Sequence, residues 1–90
     1  MAKVNFTTAL KRFYPDLAPQ SVEASTVADL LNELETRYPG LKDYLVDELG
    51  RLRKHVNIYI GDTMVSDRET LCDQVGQHDE VLIFQALSGG

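Results

Sequence analysis

Asp79-Glu80-Val81-Leu82-Ile83-Phe84 constrains the structure more than any other stretch, because it contains the most apolar run of the chain. Such a run, with β-branched and aromatic residues, predicts a strand over 80–87. The sequence ends soon afterwards at Gly89-Gly90. A glycine pair is a poor end for a strand, since glycine loses the most backbone entropy on ordering and has no side chain to pack. We therefore expect this pair to provide reach rather than stability.

The C-terminus itself is the predicted functional group. A peptide without side chains that ends in a carboxylate can enter a narrow channel and present that carboxylate to another protein's active site. Gly90 would carry the chemistry, and Ser88 and Gly89 would form the tail that delivers it. We expect residues 1–87 to form the domain and residues 88–90 a flexible tail. The alternative is an end without function, because glycines are common at C-termini.

The composition limits the class of protein and its partners. Ninety residues are enough for one modest core, and 43% hydrophobic with 26% charged residues is ordinary for a globular domain. A net charge of −5 argues against nucleic acid as a partner, since phosphate binding needs concentrated Lys and Arg. No apolar stretch approaches the ~20 residues that a membrane span needs, and the N-terminus lacks a signal-peptide core. We therefore predict a cytoplasmic protein without a membrane partner.

Alternating apolar and polar residues predict further strands in the first and second halves of the chain. A strand begins near Val4 and continues irregularly toward Leu10, and residues 20–24 form a short second strand. Residues 56–60 alternate cleanly, and the Gly61-Asp62 turn leads into a short return strand over 63–65.

One amphipathic helix is the clearest element between these strands. Thr26 followed by Asp29 matches a capping pattern, and Pro39-Gly40 ends the helix. Apolar residues follow at helical spacing: Val27, Leu30, Leu31, Leu34 and Tyr38. A second, shorter helix is predicted from Leu41 to near Gly50, including Leu49, and a helical turn is predicted within 71–75.

The order of the strands in the sheet follows from how strongly each strand favours β structure. The first and last strands are both strongly β-forming, so we expect them side by side in the middle of the sheet. The shorter strands would then lie at the edges, where short strands limit aggregation. One helix can cover only one face of such a sheet.

This order of elements, ending in an apolar strand and Gly89-Gly90, resembles the ubiquitin-like β-grasp sulfur carriers of the ThiS and MoaD family. The resemblance implies an α+β fold with a mixed four- to five-stranded sheet packed on one main helix. His55–Asp62 and the long connection from Pro39 to Lys54 are most similar to the cysteine-pathway carriers. Ala86-Leu87-Ser88 stand where ubiquitin-like modifiers carry basic residues, which favours the carrier branch.

The family resemblance also implies a chemical cycle. A partner enzyme related to ubiquitin activators uses ATP and Mg²⁺ to adenylate Gly90, and a sulfur donor converts the adenylate to a thiocarboxylate. An acceptor synthase then takes the sulfur, and in the cysteine branch a metalloprotease releases the product. Cysteine or methionine synthesis is favoured, while molybdopterin, thiamin and secondary metabolites remain open. The chain would be a co-substrate and not an enzyme, with no bound cofactor.

The register of the last strand determines which apolar residues are free to bind a partner. If Leu82 and Phe84 point away from the helix, they form an exposed apolar cluster beside Tyr59, and such clusters commonly mark docking surfaces. Phe84 also falls where the family has a patch that contacts the adenylating enzyme. We predict Phe84, Leu82, Tyr59 and Leu87 as partner-binding residues. The opposite register would bury Phe84 and expose Ile83.

The remaining candidates have simpler explanations. Cys72, the single cysteine, is predicted to be a buried or half-buried thiol, and the two isolated histidines do not form a metal site. Arg51, Arg53 and Lys54 form the only basic cluster, which we interpret as a solvated turn, with secondary docking as the alternative.

Two other functions are also compatible with the sequence. A ubiquitin-like protein modifier would be joined through Gly90 to lysines of target proteins. A non-covalent β-grasp binding module would not use its glycines at all.

Overall fold

The computed structural model describes residues 1–12 and 14–85. The predictions for Leu87, Ser88, Gly89 and Gly90 lie outside the described residues. The elements, in chain order, are β1 (Ala2–Phe6), α1 (Thr8–Lys11), β2 (Gln20–Val22), α2 (Val27–Arg37), α3 (Leu41–Leu45), β3 (Val56–Ile60), β4 (Thr63–Met64) and β5 (Glu80–Gln85). No helix among the described residues is long and apolar enough to span a bilayer.

The five strands form one mixed sheet in the order β2-β1-β5-β3-β4. The first and last strands, β1 and β5, are parallel neighbours, and every other pairing is antiparallel. The edge strands β2 and β4 contain only three and two residues. The predicted α+β class, with strong central strands and short edges, is therefore confirmed.

Helix α2 covers one face of this sheet. Thr26 caps it as predicted, because its hydroxyl oxygen accepts a hydrogen bond from the Asp29 backbone N–H at 3.2 Å. The helix buries its apolar stripe of Val27, Leu30, Leu31 and Leu34 in a core that includes Val4, Ile58, Val81 and Ile83. Full burial of each such side chain stabilises the fold by about 1.5–3 kcal/mol before entropy is counted. The helix therefore fixes which face of the sheet stays uncovered.

The second helix is shorter than predicted. Helix α3 ends at Leu45 rather than near Gly50, and Leu49 is 74% exposed instead of packing on the helical face. The Asp47 carboxylate accepts the backbone N–H groups of Leu49 and Arg51, both at 2.9 Å. A short acidic side chain that bonds nearby amides in this way competes with helix formation. The predicted continuation to Gly50 was wrong for that reason.

The chain after β1 also departs from its prediction. The strand was expected to continue toward Leu10, but Thr8–Lys11 forms the short helix α1. The Leu10 backbone N–H donates to the Thr7 carbonyl at 3.2 Å, and the Leu10 side chain is fully buried. The short helix thus places this leucine in the core.

The helical turn predicted within 71–75 is absent, and a turn at 68–70 precedes that segment instead. The Asp67 carboxylate accepts the backbone N–H groups of Glu69, Thr70 and Cys72 and the hydroxyl of Thr70. These bonds form the turn at 68–70, before the predicted segment begins. Leu71 then adopts a φ of +57° with its side chain 3% exposed, so core burial outweighs the backbone preference at this position.

Candidate functional site

Strand β5 presents alternate side chains to opposite faces of the sheet. Val81 and Ile83 are fully buried toward α2, whereas Leu82 is 36% and Phe84 39% exposed. This is the predicted register, and the alternative that buried Phe84 is wrong. Exposure of two large apolar side chains on a central strand is unusual enough to single out this face of the sheet.

Two neighbouring strands extend this apolar surface. Tyr59 on β3 lies directly opposite Leu82, and Met64 on β4 lies directly opposite Tyr59. Opposed residues point to the same face, so their side chains are neighbours. Met64 is 48% exposed and Tyr59 is partly exposed. We define the apolar patch as Tyr59, Met64, Leu82 and Phe84, all on the uncovered face.

Sequence reasoning placed three members of the apolar patch and missed Met64. A signal for it existed. The Gly61-Asp62 turn is a two-residue hairpin connection, which pairs Ile60 with Thr63 and therefore Tyr59 with Met64. Counting outward from the turn would have placed Met64 beside Tyr59. Leu87, the fourth predicted docking residue, lies outside the described residues.

The C-terminal end of β5 is anchored on both sides. Gln85 pairs with Val56 on β3, and its backbone N–H donates to the Thr7 hydroxyl oxygen beyond β1 at 3.2 Å. Gly90 lies five positions further on. Fully extended, five residues span at most roughly 17 Å. A protein that acts on Gly90 must therefore approach this end of the sheet, next to Phe84.

The described carboxyl groups with lowered pKa values organise local turns. Hydrogen bonds from the Thr70 hydroxyl, and then from backbone N–H groups, hold the pKa of the Asp67 carboxyl well below its usual range. The Gly40 and Lys42 backbone N–H groups lower the pKa of Glu35 in the same way. Each carboxylate fixes a turn or a helix start.

The other predicted side chains do not come together. Cys72 is exposed, which corrects the predicted burial, and its sulfur lies 3.1 Å from the Thr70 hydroxyl oxygen. Within residues 1–12 and 14–85, no group of three or more His, Cys, Asp or Glu side chains is placed to hold a metal ion. Among the described residues, the apolar patch is therefore the candidate site.

Comparison with known proteins gives consistent matches over most of the chain. The ThiS family model matches residues 4–90. The sulfur carrier protein CysO of Mycobacterium tuberculosis is 35% identical over 75 residues, which is 79% of this chain and 81% of CysO. Small archaeal modifier protein 3 of Haloferax volcanii is 30% identical over 66 residues, 73% of this chain and 71% of the modifier.

A solved structure agrees with the fold as well. A chain in the crystal structure of the Amycolatopsis orientalis BexX/CysO complex superimposes with a TM-score of 0.84 at 26% identity, with 100% of both chains covered. The β-grasp arrangement predicted from the sequence is thus confirmed.

Proposed function

The chain belongs to the ThiS family, and on that premise we propose that it is a sulfur carrier of the cysteine-pathway type whose Gly90 becomes a thiocarboxylate. The observation that carries this proposal is the family match through residue 90, together with 35% identity to a CysO sulfur carrier. The uncovered sheet face and the position of Gln85 add support, since they give a partner enzyme a surface next to the terminus.

The proposed cycle has two steps at Gly90. The carboxylate attacks the α-phosphate of ATP and releases pyrophosphate, which converts an unreactive carboxylate into an acyl-adenylate with a good leaving group. Sulfide then attacks the acyl carbon and expels AMP; alternatively, a persulfide does so, and a thiol cleaves the resulting acyl disulfide and is itself oxidised to a disulfide. The product is a thiocarboxylate, a stronger nucleophile than the original carboxylate. ATP and Mg²⁺ belong to the activating enzyme in this proposal.

This chain contributes presentation rather than catalysis. The apolar patch docks on the activating enzyme while Gly90 reaches its active site. The same carrier then meets a sulfur-acceptor synthase, and in a cysteine pathway a metalloprotease releases the amino acid and regenerates Gly90. Cysteine or methionine is the favoured end product.

Intact-mass measurement of protein purified from its native host during sulfur assimilation tests this function. We expect a species heavier by the exchange of one oxygen for sulfur, located at the C-terminal peptide. Gly90→Ala should impair adenylation, because the added methyl group must enter a channel that fits glycine. Exclusively unmodified wild-type protein, or full adenylation of the alanine variant, would contradict the proposal.

A Phe84→Ala variant tests the docking role of the apolar patch. Because Phe84 is 39% exposed, we expect a loss of stability smaller than for a fully buried phenylalanine, and weaker binding to the activating enzyme, by about tenfold or more if Phe84 is a hot spot. Thr36→Ala is the control, since Thr36 is exposed on α2, which covers the opposite face of the sheet. A Phe84 variant that lost stability and kept its affinity would reverse the assignment.

A second function is favoured by the match to a small archaeal modifier protein. In that case Gly90 would be joined through an amide bond to lysines of target proteins. Higher-mass conjugates in cells that disappear when Gly90 is deleted would favour the modifier. A thiocarboxylate without such conjugates would favour the carrier.

A further inference from the structure

A basic groove lies beside the end of β5. It is lined by Asp47, Arg51, Leu52, Arg53, Lys54, His55, Arg68 and Glu69, so its four Lys and Arg side chains outnumber its two carboxylates. Four of the nine Lys and Arg residues of a chain with net charge −5 therefore line one groove.

Most of the positive charge in the basic groove is not neutralised. Among the described residues, the only ion pairs are Arg37 with Glu33 and Arg51 with Asp47. Arg53 instead donates its Nε to the Asp43 carbonyl at 3.0 Å. Lys54 is exposed and makes no hydrogen bond within the described part of the chain. Arg53, Lys54 and Arg68 thus have no ion-pair partner within the described residues, so these cations repel one another and gain free energy when an acidic surface approaches.

Arg68 joins the basic groove to the uncovered sheet face. Its Nη1 donates to the Asn57 side-chain oxygen at 2.6 Å, and its Nη2 donates to the carbonyls of Arg53 and Val56 at 2.6 and 2.9 Å. Asn57 is the cross-strand partner of Phe84. All three acceptors are uncharged, so these bonds position the Arg68 guanidinium without giving it an ion-pair partner. The groove and the apolar patch therefore form one continuous surface.

The position of the basic groove relative to the terminus narrows the choice of partner. His55 precedes Val56, which pairs with Gln85, the last described residue of β5. Because Gly90 can reach at most roughly 17 Å from Gln85, a protein that receives it must cover this corner of the molecule. A typical interface buries about 800 Å² on each side, which is enough to include both the apolar patch and the groove.

We propose that the basic groove binds an acidic segment of the activating enzyme and orients the carrier on it. This inference rests on the proposed carrier function. Arginine and lysine pair with carboxylates through charge-assisted hydrogen bonds, whereas a nucleic acid would meet the repulsion of the remaining acidic surface. The apolar patch would supply affinity, and the basic groove would raise the association rate and orient the carrier on the enzyme.

The test uses carrier-dependent pyrophosphate release by the adenylating enzyme of the source organism. Lys54→Glu should raise the KM for the carrier about tenfold at about 0.1 M ionic strength and leave kcat unchanged. At about 1 M ionic strength, where the Debye length falls to about 3 Å, the defect should largely vanish. Lys54→Arg should keep the wild-type KM.

Lys3→Glu is the control, because Lys3 is also exposed but lies on β1 opposite Glu80, at the other end of β5. Equal KM values for the two glutamate variants would overturn the basic-groove inference, and so would a Lys54→Glu defect that high salt does not relieve. If wild-type carrier supports no pyrophosphate release, the carrier function itself fails. If the wild type is active and Lys54→Glu has the same KM as the wild type, only the basic-groove inference fails.

Discussion

At the scale of single residues, Gly40 occupies a position that only glycine fits. Its φ of +92° lies in the left-handed region, and a Cβ atom would meet the Tyr14 hydroxyl at 2.9 Å. Tyr14 cannot move aside easily, because it packs edge-on against Tyr38 and Tyr44 at centroid distances of 6.3 and 5.8 Å. Gly40→Ala should lower the free energy of unfolding by about 2–4 kcal/mol, from backbone strain plus overpacking.

Gly50→Ala separates these two causes. Gly50 has a φ of +80°, but a Cβ atom added there would have no neighbour within 4 Å. Its substitution should therefore cost only the backbone strain, about 1–2 kcal/mol. Urea unfolding of both variants measures the difference. Equal destabilisation would show that the Tyr14 contact contributes nothing.

Asp67 gives a residue-scale prediction for pH. Its folded-state pKa is lowered, first by the Thr70 hydroxyl, so its stabilising effect is present above the unfolded pKa of about 3.9 and is lost as pH falls below it. Wild-type protein should therefore melt at a higher temperature than Asp67→Asn at pH 7, with the gap narrowing toward pH 3. Asp62→Asn, in the exposed β3–β4 turn, should track the wild type. A constant gap across this range would contradict the assignment.

At the scale of elements, helix α3 depends on a residue outside it. Gly40, its N-cap, has no side chain, and the Glu35 carboxylate of α2 accepts the Gly40 and Lys42 backbone N–H groups at 2.8 and 2.9 Å. Glu35→Ala should cost about 2 kcal/mol, since two helix-start donors lose a charged acceptor. Glu33→Ala, which removes an exposed 3.8 Å ion pair with Arg37, should cost under about 1 kcal/mol. Denaturant titrations that rank the two variants in the opposite order would exclude this capping role.

The elements that sequence reasoning placed correctly are those fixed by periodicity. The apolar stripe of α2 and the alternation in β3 repeat often enough to determine both the element and its buried face. Periodicity did not place the end of α3 or the 68–70 turn, because a carboxylate sets each of them by bonding nearby amides. Asp47 and Asp67 looked like ordinary surface residues in the sequence. The turn into α1 was missed for another reason, since the burial of Leu10 depends on tertiary packing.

At the scale of the whole molecule, the apolar patch could be predicted largely from periodicity, whereas the basic groove could not. Alternation predicted that Leu82 and Phe84 share the free face, and pairing with β3 brought Tyr59 beside them. The basic groove could not be predicted as a surface, because Arg68 is far in sequence from Arg53 and reaches it only through the fold. The apolar patch and the basic groove are thus adjacent only because the fold brings them together.

From the arrangement of the whole molecule, we expect Gly89 and Gly90 to contribute to function but not to stability. The core lies between α2 and the sheet, and β5 is already paired on both sides through Gln85. Deleting Gly89 and Gly90 should therefore leave the melting temperature of the wild type unchanged, while thiocarboxylate formation with the activating enzyme is abolished. Calorimetry and intact-mass measurement on the same preparation check both halves, with Gly90→Ala as a full-length control. A truncated protein that melted much earlier would show that the glycine pair packs on the domain, and one that still served its partner would identify a non-covalent binding module instead of a carrier.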